Sequence, residues 1–254
     1  MDRVPGYEPG GRGFESCRAR HLVSKLNRIY KLELISIPEK IICIAVPLIF
    51  AITLHEAAHG YIANLFGDST AKKLGRITIN PIPHIDIFGT ILIPLVLFFI
   101  SKGSFSFGYA KPVPVNFNNL LRPKLHMVYV ALAGPLANFI QAIIWSLIFV
   151  ILEIIYPIDL SLIKQICKFG ILINILLFVV NLFPIPPLDG GRVIVGLLPD
   201  NVSKVFSKIE PFGFALVVLL LLAGLMNEFW IKPLMNLVYM SLDLFTYPIT
   251  FIFN

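Results

Sequence analysis

The stretch Leu54-His55-Glu56-Ala57-Ala58-His59-Gly60 sits inside an apolar run from about Ile37 to Phe66. A helix of about 20 mostly apolar residues is enough to cross a bilayer, so the polar residues of this run fall at membrane depth. Residues four apart project from one face of a helix. His55 and His59 can therefore offer imidazole nitrogens to one metal ion, and Glu56 beside them can act as general base on a water held there. Burying one carboxylate and two imidazoles in a membrane costs at least a few kcal/mol for the charge alone. The competing reading, a helix end that leaves the bilayer and solvates its polar residues, needs the ligand spacing to be a coincidence.

The rest of the chain supports a membrane setting. It is 57% hydrophobic and 14% charged, where soluble domains are roughly 45–50% apolar and about 25% charged. Further apolar segments run from about Ile85 to Ile100 (short, tilted or partly re-entrant), Met127 to Tyr156, Phe169 to Phe183, Phe212 to Met226, and Pro233 to Phe253. The last carries Asp243 and Pro248 and can instead lie in the interface. The expected fold is all-α and polytopic, with about six transmembrane or membrane-associated helices in one membrane-embedded domain, 37–254. The net charge of +6 fits Lys and Arg in loops and contacts with anionic membrane lipid. A nucleic-acid partner is not expected, because no basic patch interleaved with aromatics occurs. Basic residues flank both ends of the first span, so the positive-inside count leaves orientation open. Cys17, Cys43 and Cys167 are too scattered for a disulfide framework or a paired-cysteine metal site.

Residues 1–36 differ in composition. Gly and Arg are frequent from Val4 to Arg20, with too little apolar surface to fold, and no signal-peptide pattern is present. The stretch reads like the translated end of a transfer-RNA gene, and a start near Leu32 or Leu34 is expected. Between the second and third spans, Phe105, Phe107 and Tyr109 alternate with small residues, and Val113 and Val115 continue the rhythm past Lys111. Period two suggests a short β-like hairpin, which Pro112 and Pro114 restrict to edge positions. Non-helical backbone near a bilayer must be sheltered or line a cavity; a plain surface loop is the alternative.

A catalytic zinc takes three protein ligands and keeps one open position. The best candidate for the third is Asp189, in Asn181-Leu182-Phe183-Pro184-Ile185-Pro186-Pro187-Leu188-Asp189-Gly190-Gly191-Arg192. It follows an apolar span, and the Pro and Gly residues around it break the helix and can return a carboxylate to membrane depth. A turn aspartate at a helix end is the plainer reading. His84, His126 and Asp86 compete for the same role.

Together, these segments resemble the site-2 protease family of intramembrane zinc metalloproteases, in its compact bacterial and archaeal branch. The resemblance is carried by Leu54 to Gly60, by Gly134-Pro135-Leu136-Ala137-Asn138, by Asn181 to Gly190, and by Gly108-Tyr109-Ala110-Lys111-Pro112-Val113-Pro114-Val115-Asn116. It implies one Zn2+ per chain held by His55, His59 and Asp189, with Glu56 activating water. It also implies that Asn138 and Asn181 face the site and donate to the oxyanion of the scissile carbonyl. Interhelical hydrogen bonding is the other role open to each asparagine. The implied substrates are transmembrane segments of other proteins, in a prokaryotic cell membrane. Tyr109, Lys111, Val113 and Val115 are the expected edge for pairing with an unwound substrate. No segment between the spans has the length of a sizeable soluble domain.

Overall fold

The computed structural model describes residues 37–92, 96, 100, 111–155 and 161–253. Helix α1 spans Ile37–Leu65 and the single turn α2 spans Thr70–Lys73. A 3-10 turn at Ile82–His84, a π-type turn at Ile87–Leu92 and a 3-10 turn at Phe117–Asn119 lead to α3, Pro123–Ile155. Then come α4 (Ser161–Asn181), α5 (Asp189–Leu197), α6 (Asp200–Ser207) and α7 (Glu210–Leu222). A π-type turn at Asn227–Ile231 opens α8, Lys232–Phe253.

Among the described residues there are three helices long and apolar enough to cross a membrane: α1, α3 and α4. The pair α6 and α7, bent by 64°, makes a fourth when taken as one span. No strand occurs among the described residues: Lys111 to Asn116 is irregular, and residues 101–110, the first half of the expected hairpin, lie outside them. The N-terminal tail of the sequence reading also lies outside them.

The outer face of α3 is unlike that of a helix in a water-soluble protein. On α3, Ile140, Ile144, Ile148, Ile151 and Ile155 recur at helical spacing and are all exposed, while Asn138 and Gln141 are buried. Apolar residues outward and polar residues inward is what hydrocarbon surroundings select. Ala142 of α3, Ile175 and Val179 of α4, Val217 of α7 and Val238 and Leu242 of α8 form the main core. Trp230 ties the C-terminal part to α4 by donating Nε1–H to Val179 O at 2.8 Å. A smaller cluster of Ala63, Leu120 and Val130 joins the end of α1 to α3.

Helix bounds differ from the hydropathy reading where charge and apolar face mix. Helix α4 begins two turns before Phe169. Its first turns carry Lys164, which pairs with Glu153 at 3.4 Å, and Lys168, which lies over the Phe149 ring. Lys stems can cover apolar surface while the amine finds a partner, so a basic stretch need not be a loop.

Candidate metal centre

His55 and His59 stand one turn apart on α1. Asp189 opens α5, where a carboxylate also suits the positive end of the helix dipole. The chain reaches Asp189 through the Pro-rich break after α4, and two glycines let the new helix fold tightly back. A Cβ at Gly190 would lie 2.2 Å from Leu182 O, and one at Gly191 would lie 2.1 Å from Pro186 N. No side chain fits there, so the return that delivers Asp189 depends on both.

Three atoms converge. His55 Nε2 lies 3.2 Å from Asp189 Oδ2, His59 Nε2 lies 3.4 Å from it, and the two Nε2 atoms are 3.1 Å apart. Both Nδ1 atoms are engaged elsewhere. His59 Nδ1 donates to Val130 O at 2.6 Å, and His55 Nδ1 donates to Asn138 Oδ1 at 2.5 Å. A carbonyl oxygen can only accept, so in the neutral imidazoles each Nε2 presents a bare lone pair. Asp189 Oδ2 is buried with no hydrogen-bond donor. Two lone pairs and a carboxylate oxygen facing one another are mutually repulsive unless a cation sits among them. Ligands about 2.0–2.2 Å from a tetrahedral zinc lie roughly 3.3–3.6 Å apart, close to the spacing found. The donor set therefore fits zinc. Gly134 of α3 faces the same point: a Cβ there would be 2.4 Å from His59 Nε2 and 2.5 Å from His55 Nε2. Gly134 is thus the residue that leaves the imidazole nitrogens room.

Glu56 Oε2 accepts a hydrogen bond from Val113 N–H at 2.7 Å. The Lys111–Asn116 segment is held along its length. Lys111 N–H donates to His84 O at 3.0 Å and Asn116 N–H to Asp68 Oδ2 at 2.7 Å, while Arg76 Nη2 donates to Lys111 O at 2.8 Å. Asp68, fully buried, also accepts from Thr70 and from Asn119 Nδ2. Burial alone would push its carboxyl up, but these hydrogen bonds outweigh it and hold it below the usual carboxylate range. His84 is buried, and burial, reinforced by the charge of Arg76, holds its imidazole below the ordinary value.

Asn138 Nδ2 donates to Ala51 O at 3.1 Å and to Asn174 Oδ1 at 3.0 Å, and its Oδ1 accepts from His55 Nδ1. An amide has two N–H donors, and both are committed between helices. The edge at Lys111 and Val113 is likewise not free, since both N–H groups are bound inside the protein, leaving the segment around Val115 as the open part. Tyr109 lies outside the described residues. Asn181 ends α4 and donates one N–H to Leu177 O at 3.0 Å, which leaves it a second.

The competing ligands are placed elsewhere. His126 stacks on Phe66, Asp86 accepts from Gly89 N–H, and among the described residues the group able to hold a metal is His55, His59 and Asp189.

Comparison with known proteins gives the family. Residues 157–224 match Peptidase family M50. The candidate zinc metalloprotease YwhC of Bacillus subtilis (strain 168) is 39% identical over 198 residues, which cover 76% of this chain and 85% of that protein. The chain belongs to peptidase family M50. It is thus a site-2-type zinc metalloprotease, as its sequence motifs imply. The candidate zinc metalloprotease Rip2 of Mycolicibacterium smegmatis is 26% identical, over 77% of this chain and 71% of that protein. The zinc metalloprotease MJ0392 of Methanocaldococcus jannaschii is 25% identical, over 79% of this chain and 46% of that protein. No solved structure is significantly similar to the chain.

The sequence reading passes over Asn174 and Arg76. Asn174 carried a signal: it is a lone amide in an apolar span, seven residues before Asn181, and polar groups at membrane depth are functional candidates by default. Arg76 carried none, because a basic residue after a span is ordinary.

Proposed function

We propose that this M50 peptidase cuts transmembrane segments of other proteins within a prokaryotic cell membrane, and that residues 37–254 form its multi-pass catalytic domain. One observation carries the reading: His55 Nε2, His59 Nε2 and Asp189 Oδ2 meet at 3.1–3.4 Å, with both Nδ1 atoms already hydrogen-bonded to carbonyl oxygens elsewhere. In this reading those three residues hold one zinc ion, which when bound supplies Lewis acidity to the scissile carbonyl and lowers the pKa of water.

Glu56 then takes a proton from the attacking water and passes it to the leaving amine. The hydrogen bond from Val113 N–H holds Oε2 and leaves Oε1 for the proton. Asn181, with one N–H uncommitted, is the residue proposed to donate to the oxyanion; one such donor is worth about 2.7–4 kcal/mol in the transition state. Asn138 acts instead through His55. A substrate helix hides its carbonyls in internal bonds and has to unwind before cleavage; the irregular segment around Val115 is the proposed edge that takes the unwound stretch.

The test is Glu56→Gln assayed with a transmembrane reporter reconstituted in liposomes, beside zinc content by elemental analysis. Cleavage should vanish and zinc should stay. Cleavage by Glu56→Gln at the wild-type rate rejects Glu56 as base, and an Asp189→Ala variant that keeps full zinc rejects the third ligand.

A further inference from the structure

Asn174 lies in the middle of α4, fully buried, and touches no metal-binding group. Its bonds form an ordered chain. Asn174 Nδ2 donates to Gly170 O at 2.8 Å, an oxygen that can only accept. That fixes the orientation of the amide and turns its Oδ1 toward Asn138, whose Nδ2 donates to it at 3.0 Å. The second Nδ2 proton of Asn138 goes to Ala51 O, one turn before His55 on α1. Asn138 is thereby left with only its oxygen for His55 Nδ1, at 2.5 Å.

From this chain we infer that Asn174 is a positioning residue for the metal centre, acting through Asn138 to lock His55 with its proton on Nδ1 and its lone pair on Nε2. The inference rests on the reading of His55 as a metal ligand. Polarity passes from a backbone carbonyl of α4 through two amides, on α4 and α3, to an imidazole on α1. Were the Asn138 amide to rotate by half a turn, its N–H would meet His55 Nδ1, the proton would move to Nε2, and that nitrogen could no longer ligate a metal. Ala51 O alone opposes the rotation with one contact; Asn174 supplies the second and fixes the amide plane. Partners that orient a ligating histidine typically change metal affinity about 10–100-fold when removed. Because Ala51 O remains, the lower end is expected.

The experiment measures zinc affinity of the purified protein in detergent, by competition with a chromophoric chelator, for wild type, Asn174→Ala, Asn174→Leu, Asn138→Ala and the double variant Asn138→Ala with Asn174→Ala. Asn174→Leu keeps the volume without the acceptor. Both Asn174 variants should weaken zinc binding about 10-fold. Asn138→Ala should weaken it at least as much, and adding Asn174→Ala to it should change nothing more. An unchanged affinity in the single variants, or an equal Asn174 effect with and without Asn138, overturns the inference and leaves α4 packing as the role. Should neither Asn174 variant fold, nitrogen-15 shifts of His55 in the metal-free wild type decide it: protonated Nδ1 supports it, and protonated Nε2 overturns it. A His55→Ala control separates the two levels. If that variant keeps full zinc affinity, the ligand reading itself fails.

Discussion

Replacing Gly134 by Ala sets two effects against each other. In a helix interior Ala is favoured over Gly by about 0.8–1.0 kcal/mol, so the substitution would ordinarily stabilise α3. Here the added methyl would sit 2.4 Å from His59 Nε2 and 2.5 Å from His55 Nε2, against ordinary contacts that begin at 3.4 Å. About 1 Å has to be found, by moving α3 from α1 or by turning both imidazoles off their bonds to Val130 O and Asn138 Oδ1. Overpacking of this kind costs about 1–3 kcal/mol, so the net change in stability of the metal-free protein should be small, about 0–2 kcal/mol destabilising. The effect on the metal should be large, because the strain falls on the ligands themselves. Zinc retained after dialysis against a chelator is the assay, read beside thermal unfolding of the metal-free form. Loss of most zinc with near-normal unfolding is expected. A Gly134→Ala protein that keeps full zinc and cleaves a transmembrane reporter normally would refute the claim that this glycine makes room at the centre.

Three other outcomes follow from the same contacts. Val113→Pro removes the N–H that holds Glu56, together with a buried valine side chain that Val113→Ala removes alone; in the proline variant cleavage should fall about 10- to 100-fold, within the ~10²–10⁴ a positioned base supplies, and further than in the alanine variant, while zinc content by elemental analysis stays at wild-type level. Asp68→Ala leaves the Asn116, Asn119 and Thr70 donors without their acceptor and should destabilise by about 2 kcal/mol or more, seen as a lower thermal midpoint and faster proteolysis near Asn116. For pH, His84 and Asp68 both have lowered folded values, so each contributes stability above its unfolded value that is lost on acidification. The thermal midpoint should drop as pH falls below about 6.5, the ordinary histidine value, and again below about 4, that of Asp; His84→Gln should remove only the first drop.

How much of this was legible in the sequence depended on whether local spacing carried the information. His55, Glu56 and His59 could be read because helical geometry fixes their relation. Asp189 could be read because proline and glycine announce a break in an apolar run. For Asn138 the sequence suggests an oxyanion donor or an interhelical bond, since an amide offers donors and an acceptor, and only its neighbours, Ala51 O, Asn174 and His55, decide which of them stay free. Val113 reads as a side chain in an alternating pattern, and that side chain is buried, yet its backbone N–H on Glu56 carries no sequence signal, since any residue but proline would supply it. The start of α4 was missed because Lys164 and Lys168 read as loop until Glu153 and Phe149 were there to receive them.

These contacts divide the site into two mechanical parts. The proposed metal ligands are set by helices: α1 and α5 bring the atoms, while α3 holds both Nδ1 positions through Val130 and Asn138. The proposed base is set by an irregular segment, because Glu56 Oε2 rests on Val113 N–H, and that segment is fastened by Arg76, His84 and Asp68 rather than by His55, His59 or Asp189. A substrate backbone that pairs around Val115 would therefore bear on the same short stretch that orients Glu56, whereas the helices carrying the proposed ligands need not move. On the proposed reading, a metal site set by helices beside a base held by the peptide-capturing segment would let capture of an unwound peptide adjust the base without loosening the ion. That separation is the physical reason the Val113 and Gly134 substitutions should fail in opposite ways, one keeping zinc without turnover and the other losing the zinc itself.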